Sequence, residues 1–391
     1  MVKTGLEIIT ESFPDKLRWK NIGVLCHAPS ITKNFLHITE FLYGRKDCKI
    51  SVIFGPQHGL FGQTQDNMVE WEGYLHPVFK IPVFSLYGEN RKPTPGMLKG
   101  IDVLLIDLQD IGARLYTYIW TVKLCIEACN ETGIPVWILD RPNPIGKLPF
   151  DGPVLKEEYF SFVGGASIPL CHRMTIGEMA LWIKDKYYPG SDLNIVSMKG
   201  WHRHTLFSET GLPWVLPSPN MPTLQTAVVY PGTVLIEGLN LSEGRGTTIP
   251  FELFGAPFIN NDKLRKNINQ RKMPGCAFRI HNFIPTFNKF KGELCNGLQI
   301  HVTAPEKYCP VSTALEIFDA IIETSANGAM LFNLPPYEYE YNLFPFDILS
   351  GDSGMRKSLI NHQSVTVEKE RWKNEIDKFR IEFSRFSAYP E

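Results

Sequence analysis

Several features that mark common protein classes are absent from this sequence. Its 391 residues carry 40 basic and 41 acidic side chains, a formal net charge of −1, with no long basic run. A nucleic-acid partner is therefore not expected. No apolar run approaches the length of a membrane span, and no basic segment followed by an apolar one opens the chain. We expect a cytoplasmic protein without membrane contacts, or a secreted or periplasmic one if a leader has been removed.

Patterns that would bind a nucleotide or a metal are also missing. No G-x-G-x-x-G follows the first predicted strand, and residues 55–62 lack the Lys-Ser/Thr of a phosphate loop. The 8 cysteines show no zinc spacing and are expected to be reduced thiols, mostly in the core. His202 and His204 share a strand face but have no nearby ligand partners. No serine lies in G-x-S-x-G, which disfavours an α/β-hydrolase. We expect neither a cofactor nor a metal.

Short apolar runs alternate with helical patterns through the first half of the chain. Strands are predicted at 21–28, 49–54, 82–87, 103–108, 135–140 and 193–198, and helices at 32–43, 118–132 and 175–187. Buried strands separated by helices predict a Rossmann-like, mainly parallel sheet with helices on both faces. Later in the chain we predict a strand at 298–302 and helices at 311–325 and 366–386. The expected architecture is an α/β Rossmann-like domain at 1–255 and a smaller C-terminal α/β lobe at 256–391.

Polar clusters follow three of these strands, at the end where open parallel sheets bind ligands. After the second strand, His58 lies between glycines and either exchanges protons or merely bonds a neighbouring carbonyl. The fifth strand is followed by a proline-restricted turn, which either orients a ligand or is a plain turn. Its polar residues are Asp140, Arg141 and Asn143.

The cluster after the fourth strand, DLQDIGARLYTY (107–118), contains acids, an arginine and two tyrosines. It either binds sugar hydroxyls or a carboxylate, or forms a structural network in which Arg114 neutralises one of the aspartates. The candidate residues are Asp107, Gln109, Asp110, Arg114, Tyr116 and Tyr118.

The densest polar cluster is EGLNLSEGRGTT (237–248). Glycosidases need a carboxylic acid to protonate the leaving oxygen and a second group that acts on the anomeric carbon. Glu243 or Glu237 is a candidate for that acid, and the alternative is a solvated loop with its acids on the surface. Asn240 and Arg245 in this loop, and Asn220 in the loop PSPNMP (217–222), are further candidates for binding substrate.

Many stretches along the chain resemble one family, the exo-acting β-N-acetylmuramidases (NamZ-like), formerly a domain of unknown function. The matching stretches include DLQDIGARLYTY (107–118), LDRPNPIG (139–146), PSPNMPT (217–223), EGLNLSEGRGTT (237–248) and FDILSGDSGMR (346–356). The resemblance implies a Rossmann-like lobe and a smaller lobe with the active cleft between them. It also implies a hydrolase that releases N-acetylmuramic acid from the non-reducing end of peptidoglycan fragments, without metal or nucleotide.

One loop departs from the family pattern. The family commonly has P-E-H-G after the second strand, whereas this chain has Gln57 before His58. A glutamine cannot exchange a proton as a carboxyl group does. Another acid could replace the glutamate (Glu243, Asp110 or Asp66), or the substrate's acetamido group could be the nucleophile with Gln57 orienting it. The third alternative is a divergent protein that binds sugar without cleaving it.

The prediction is therefore an exo-acting glycoside hydrolase of β-linked N-acetylamino sugars, most simply N-acetylmuramic acid. In it, Glu243 is the leading acid/base, and His58 and Gln57 orient the reacting centre. Asp110 and Asp140 hold hydroxyls, and Arg114 or Arg245 pairs with the lactyl carboxylate, because a planar guanidinium matches a carboxylate bidentately. A sugar or muropeptide is the expected partner, and the sequence does not fix the oligomeric state.

Overall fold

A seven-stranded sheet forms the centre of the protein in a computed structural model that describes residues 1–62, 64, 71–325, 331–337 and 340–391. The strands of the described chain are β1 (Asn21–Cys26), β2 (Lys49–Gly55), β3 (Tyr74–Leu75), β4 (Pro82–Ser85), β5 (Val103–Asp107), β6 (Val136–Leu139), β7 (Asp151–Val154), β8 (Pro169–Cys171), β9 (Leu193–Val196), β10 (Leu253–Ala256), β11 (Cys276–Ile280) and β12 (Asn296–Val302). The central sheet has the order β3-β4-β2-β1-β5-β6-β9, and only the β3–β4 pair in it is antiparallel.

The helices of the described chain are α1 (Gly5–Glu11), α2 (Ile38–Tyr43), α3 (Tyr118–Thr132), α4 (Ile176–Tyr187), α5 (Leu224–Thr233), α6 (Asn261–Ile268), α7 (Pro310–Thr324), α8 (Pro345–Ser350), α9 (Gly354–Ile360) and α10 (Val365–Ser384). Helix α4 begins at a capping box, in which the Thr175 hydroxyl and the Glu178 carboxylate each accept from the other residue's backbone N–H. Helix α3 ends at Gly133, whose φ of 71° is the left-handed conformation that glycine favours.

These elements confirm the α/β class and the mainly parallel sheet. One helix prediction was too long: α2 begins at Ile38, six residues later than the predicted 32. The His37 side chain accepts from the backbone N–H of Thr39 and so caps the helix there. Strand β5 is buried at every position, as expected of a strand covered on both faces.

A second, three-stranded antiparallel sheet has the order β10-β12-β11 and packs against α5 and α6. Strand β10 ends at Ala256, so the predicted domain boundary at 255/256 falls inside this strand and stays a prediction. The short β7–β8 hairpin lies between the two sheets in the chain.

The two lobes are tied together by polar contacts as well as by one continuous hydrophobic core. The Asp151 carboxylate on β7 accepts from the backbone N–H groups of Val311 and Ser312, in the first turn of α7. After α10 the chain returns to the first lobe, where the Tyr389 hydroxyl donates to Asp140 at 2.6 Å. The lobes are therefore held in a fixed relation around the crevice between them.

Candidate active site

A pocket lies beyond the carboxyl ends of β2 and β5, between the two lobes. The loop after β2, the start of α3, the loop 217–222 and the loop 237–248 all line it. Its polar lining residues are Gln57, His58, Tyr116, Thr117, Tyr118, Ser218, Asn220, Tyr230, Glu237, Arg245 and Tyr337. The structure thus brings together seven of the predicted site residues: Gln57, His58, Tyr116, Tyr118, Asn220, Glu237 and Arg245.

Glu237 is the one carboxylate among the described residues that line this pocket. Its two oxygens accept from Arg245 Nη2 at 2.6 Å and from the Tyr337 hydroxyl at 2.7 Å. Burial by itself raises the pKa of Glu237, but the Arg245 guanidinium and these hydrogen bonds outweigh it and hold the pKa below its usual value. Glu237 is therefore a fixed, ionised carboxylate in the pocket at neutral pH.

Gln57 and His58 are held by the backbone and by neighbouring side chains. The Thr117 hydroxyl donates to Gln57 Oε1 at 2.7 Å, which leaves the amide N–H₂ as the donor end of the side chain. His58 has a φ of 72°, and its Nδ1 lies 2.7 Å from the carbonyl oxygen of Thr64. That contact makes Nδ1 the protonated nitrogen of the neutral ring and Nε2 its acceptor.

Aromatic rings form one wall of the pocket. The ring of Tyr116 meets those of Tyr118 and Tyr230 edge-on, with centroids 4.8 and 5.8 Å away. The Tyr118 hydroxyl donates to the carbonyl of Pro217. Burial raises the pKa of both Tyr116 and Tyr118, so their hydroxyls are neutral at physiological pH.

Asp110 is fully buried beside this aromatic wall, although it does not itself line the pocket. Its Oδ2 accepts from the backbone N–H of Gly112 at 2.7 Å, while Oδ1 has no hydrogen-bond partner among the described residues. Burial raises the pKa of Asp110 to about 7. The charge of Asp110 also raises the pKa of Tyr116 and Tyr118, although burial is the main cause for both.

Glu243, the leading acid of the sequence analysis, does not line the pocket. Its oxygens lie 3.1 Å from Arg245 Nε and 3.3 Å from Lys289 Nζ, and the side chain is 2% exposed. Arg245 bonds Glu243 with Nε and Glu237 with Nη2, so Glu243 supports the arginine from behind. The structure corrects the sequence analysis here, and the pocket carboxylate is Glu237.

Arg114 was predicted to bind a hydroxyl or the lactyl carboxylate, and the structure contradicts this. Its guanidinium is buried and donates to four backbone carbonyls, those of Pro153, Ile168, Leu349 and Ser350, at 2.9–3.1 Å. These carbonyls come from the β7–β8 region and from α8. Arg114 joins the two lobes through Nη1 and Nη2, while its buried Nε has no partner among the described residues.

Asp107 and Arg141 form a buried ion pair with each other. Arg141 Nη2 donates to Asp107 Oδ2 at 2.8 Å, and Gln109 Nε2 donates to the carbonyls of Asp110 and Pro142. Arg141 and Gln109 line a separate small cavity with Trp214, and Asp107 is fully buried. Asp107 is thus held in a structural ion pair, but its partner is Arg141 and not Arg114 of its own cluster.

Asp140 and Asn143 are also structural. Asp140 accepts from the Thr175 hydroxyl and the Gly177 backbone N–H at the start of α4, and burial raises its pKa to about 6. Asn143 Nδ2 donates to the carbonyl of Met174 at 2.8 Å. Neither reaches the pocket, which corrects their predicted role in substrate binding.

Asn240 and Asp66 are the remaining candidates from the sequence. Asn240 is exposed at the surface and is not among the lining residues. Asp66 lies outside the described residues. Within the described ranges, no group of three or more His, Cys, Asp or Glu side chains could hold a metal ion. The helices of those ranges also include none that is long and apolar enough to cross a bilayer.

Sequence reasoning missed Thr117, Tyr230 and Tyr337 as pocket residues. Tyr337 is 100 positions from the glutamate that it bonds, and no local pattern connects the two. Tyr230 lies in YPGT (230–233), between the candidate loops 217–222 and 237–248, and that position was the available signal.

Two family models together cover the chain from residue 22 to residue 389. The model of the N-terminal part of the exo-beta-N-acetylmuramidase NamZ matches residues 22–225, and that of its C-terminal part matches residues 228–389. A curated relative, the peptidoglycan beta-N-acetylmuramidase NamZ of Bacillus subtilis (strain 168), is 42% identical over 385 residues. That match covers 98% of this chain and 89% of the relative.

Two solved structures have the same fold. Both are DUF1343 family proteins of Bacteroides fragilis NCTC 9343. The first has a TM-score of 0.89 and 30% identity, and the match covers 99% of each chain. The second has a TM-score of 0.78 and 28% identity, covering 100% of this chain and 99% of the other. The likeness therefore extends over both lobes.

Proposed function

Because the chain belongs to the exo-beta-N-acetylmuramidase NamZ family, we propose that it is an exo-acting glycoside hydrolase. Its substrate in this proposal is a peptidoglycan fragment, from whose non-reducing end it releases β-linked N-acetylmuramic acid. The observation that carries the proposal is the ionised Glu237 at the wall of a tyrosine-rich pocket between the lobes. A glycosidase transition state is positively charged at the anomeric carbon, which a fixed carboxylate stabilises.

Glu237 suits the role of base or charge stabiliser better than that of acid. Arg245 holds it ionised, so it has no proton to give at neutral pH. In this role it either activates a water molecule or stabilises the developing positive charge. Tyr337 and Arg245 fix the direction of its oxygens, which limits the reorganisation needed during the reaction.

Asp110 suits the role of the acid that Glu237 does not fill. With a pKa of about 7 it keeps a proton under conditions in which Glu237 is ionised. Two carboxyl groups whose environments push their pKa values apart are a common basis for assigning acid and base. We assign the proton donor to Asp110, whose Oδ1 has no hydrogen-bond partner among the described residues.

Gln57 fits the substrate-assisted alternative. Thr117 holds the amide so that its N–H₂ is the donor end, and a donor can bond the acetamido carbonyl of the substrate. The acetamido oxygen would then attack the anomeric carbon in place of an enzyme nucleophile. Of the two arginines considered for the lactyl carboxylate, Arg245 lines the pocket and is the one proposed.

The test is hydrolysis of a chromogenic β-glycoside of N-acetylmuramic acid by the purified protein. The wild type should release the chromophore, and Glu237→Gln should lower kcat by about 10²–10⁴-fold, the range for loss of a positioned acid/base group. Glu293→Gln, at an exposed position, is the matched control and should behave as the wild type. A wild type that binds the sugar but never cleaves it would overturn the proposal in favour of a sugar-binding protein.

The role of Asp110 is tested by changing the leaving group. Asp110→Asn should cleave an aryl glycoside with a good leaving group nearly as fast as the wild type, because that oxygen needs no proton. The same variant should be strongly impaired on a natural disaccharide. Equal impairment on both substrates would exclude Asp110 as the proton donor.

A further inference from the structure

Lys289, from a loop of the second lobe, places its ammonium group among five oxygen atoms behind the pocket. Its Nζ contacts the carbonyl oxygens of Ile236 (2.8 Å), Leu239 (2.9 Å), Leu241 (3.0 Å) and Glu237 (3.4 Å), and Glu243 Oε2 (3.3 Å). An ammonium group has three protons and so can donate only three separate hydrogen bonds. Five oxygens around one nitrogen therefore form a cage that surrounds a cation.

The oxygens of this cage belong to the segment that carries the pocket carboxylate. A 3₁₀ helix spans Val234–Gly238, and the backbone N–H of Leu239 bonds the carbonyl of Ile236 at its end. The Asn333 amide donates to the carbonyls of Glu237 and Leu239, at 3.2 and 3.0 Å. Carbonyl oxygens that converge on one point still repel one another, and a positive charge between them offsets that repulsion. Lys289 supplies that charge, and through Glu243 it also reaches the carboxylate that supports Arg245.

The loop that carries Lys289 is anchored independently of its ammonium group. Thr286 donates from both its backbone N–H and its hydroxyl to the carbonyl of Gly246, at 3.0 and 2.9 Å. Gly246 has a φ of 80°, and a Cβ there would lie 2.7 Å from the backbone nitrogen of Thr286. Shortening the side chain of Lys289 should therefore leave the loop in place with an empty cage behind the pocket.

We propose that Lys289 is a positioning residue whose ammonium fills a site for a monovalent cation and thereby sets the orientation of Glu237. This inference rests on the proposed function, since it assigns Lys289 to the support of the same site. It implies that a small cation from solution can replace the ammonium once the side chain is removed. Ammonium and potassium ions have the size and charge for such a cage, whereas choline is too large.

The experiment compares Lys289→Ala with the wild type and with Lys291→Ala, an exposed lysine of the same loop. Hydrolysis of the chromogenic glycoside is measured in ammonium, potassium or choline chloride at equal ionic strength. In choline, Lys289→Ala should lose about 10- to 100-fold in kcat with KM nearly unchanged, as expected when a catalytic group is misplaced by about 1 Å. In ammonium chloride the kcat of Lys289→Ala should be at least fivefold higher than in choline chloride. Ammonium should also raise the Tm of Lys289→Ala, but not that of the wild type or of Lys291→Ala.

Three results would overturn the inference. The first is a kcat of Lys289→Ala within threefold of the wild type. The second is a folded variant with low kcat that ammonium and potassium do not improve, and the third is a variant that does not fold in any of the salts. The Tm shift needs no turnover, so it reports on the cage even if the wild type proves inactive, which would instead refute the proposed function.

Discussion

Replacing Asp110 with asparagine should stabilise the protein at alkaline pH, and the size of the gain follows from the burial of this carboxyl. Its pKa is about 7 in the folded protein against an ordinary value of 3.8. The folded state therefore binds a proton more tightly than the unfolded state. The stabilisation due to that proton is complete below about pH 4 and is lost as the pH rises through 7.

Each pH unit between the two pKa values is worth about 1.4 kcal/mol, so the wild type loses at most about 4 kcal/mol from this group by pH 8. Asparagine carries no charge at any pH and keeps an oxygen for the backbone N–H of Gly112. About two of these pH units lie above pH 5, so the free energy of unfolding of Asp110→Asn relative to the wild type should rise by up to about 3 kcal/mol between pH 5 and pH 8.

The assay is urea unfolding of both proteins at pH 5, 6, 7 and 8. Asp185→Asn, at an exposed position, is the matched control and should show no such trend. Other buried acids such as Asp140 titrate in both proteins and cancel in the difference. A difference between Asp110→Asn and the wild type that is the same at every pH would refute the claim that Asp110 is protonated in the folded protein.

Three further predictions concern residues that do not line the pocket. Arg114→Met should lower the free energy of unfolding by about 3–5 kcal/mol, because four buried carbonyls lose their donor. Urea unfolding measures this loss, with the exposed Arg380→Met as the control. A loss under about 1 kcal/mol would contradict the prediction. Tyr389→Phe should cost about 1–3 kcal/mol through the lost bond to Asp140, without changing kcat of the folded protein. Glu243→Gln should retain far more activity than a variant of the pocket carboxylate; equal loss in a folded protein would return Glu243 to the mechanism.

Much of the fold could be predicted because its signals are local. The strand predicted at 103–108 is observed at Val103–Asp107, and the helix predicted at 118–132 has the predicted bounds. Each is a run of mostly buried residues of the length typical of its element, and the sequence pattern that follows it ends the element. The β7–β8 hairpin was missed because strands of four and three residues carry no periodicity.

The site could be predicted only in part, because its contacts join residues far apart in the chain. The sequence placed Glu237 and Glu243 in one loop but could not tell which of them faces the pocket. Arg114 lies among acids in the sequence, yet its guanidinium bonds the carbonyls of Leu349 and Ser350, more than 230 positions away. Which partners a buried charge finds is a property of the assembled lobes.

The most direct test of the central claim is product analysis on two defined glycan fragments. One fragment ends in N-acetylmuramic acid at its non-reducing end, and the other ends in N-acetylglucosamine. The wild type should release free N-acetylmuramic acid from the first fragment only, leaving the remainder of that fragment uncut, and Glu237→Gln should release almost none. Cleavage inside either fragment, release of N-acetylglucosamine from the second, or undiminished release by Glu237→Gln would contradict the account.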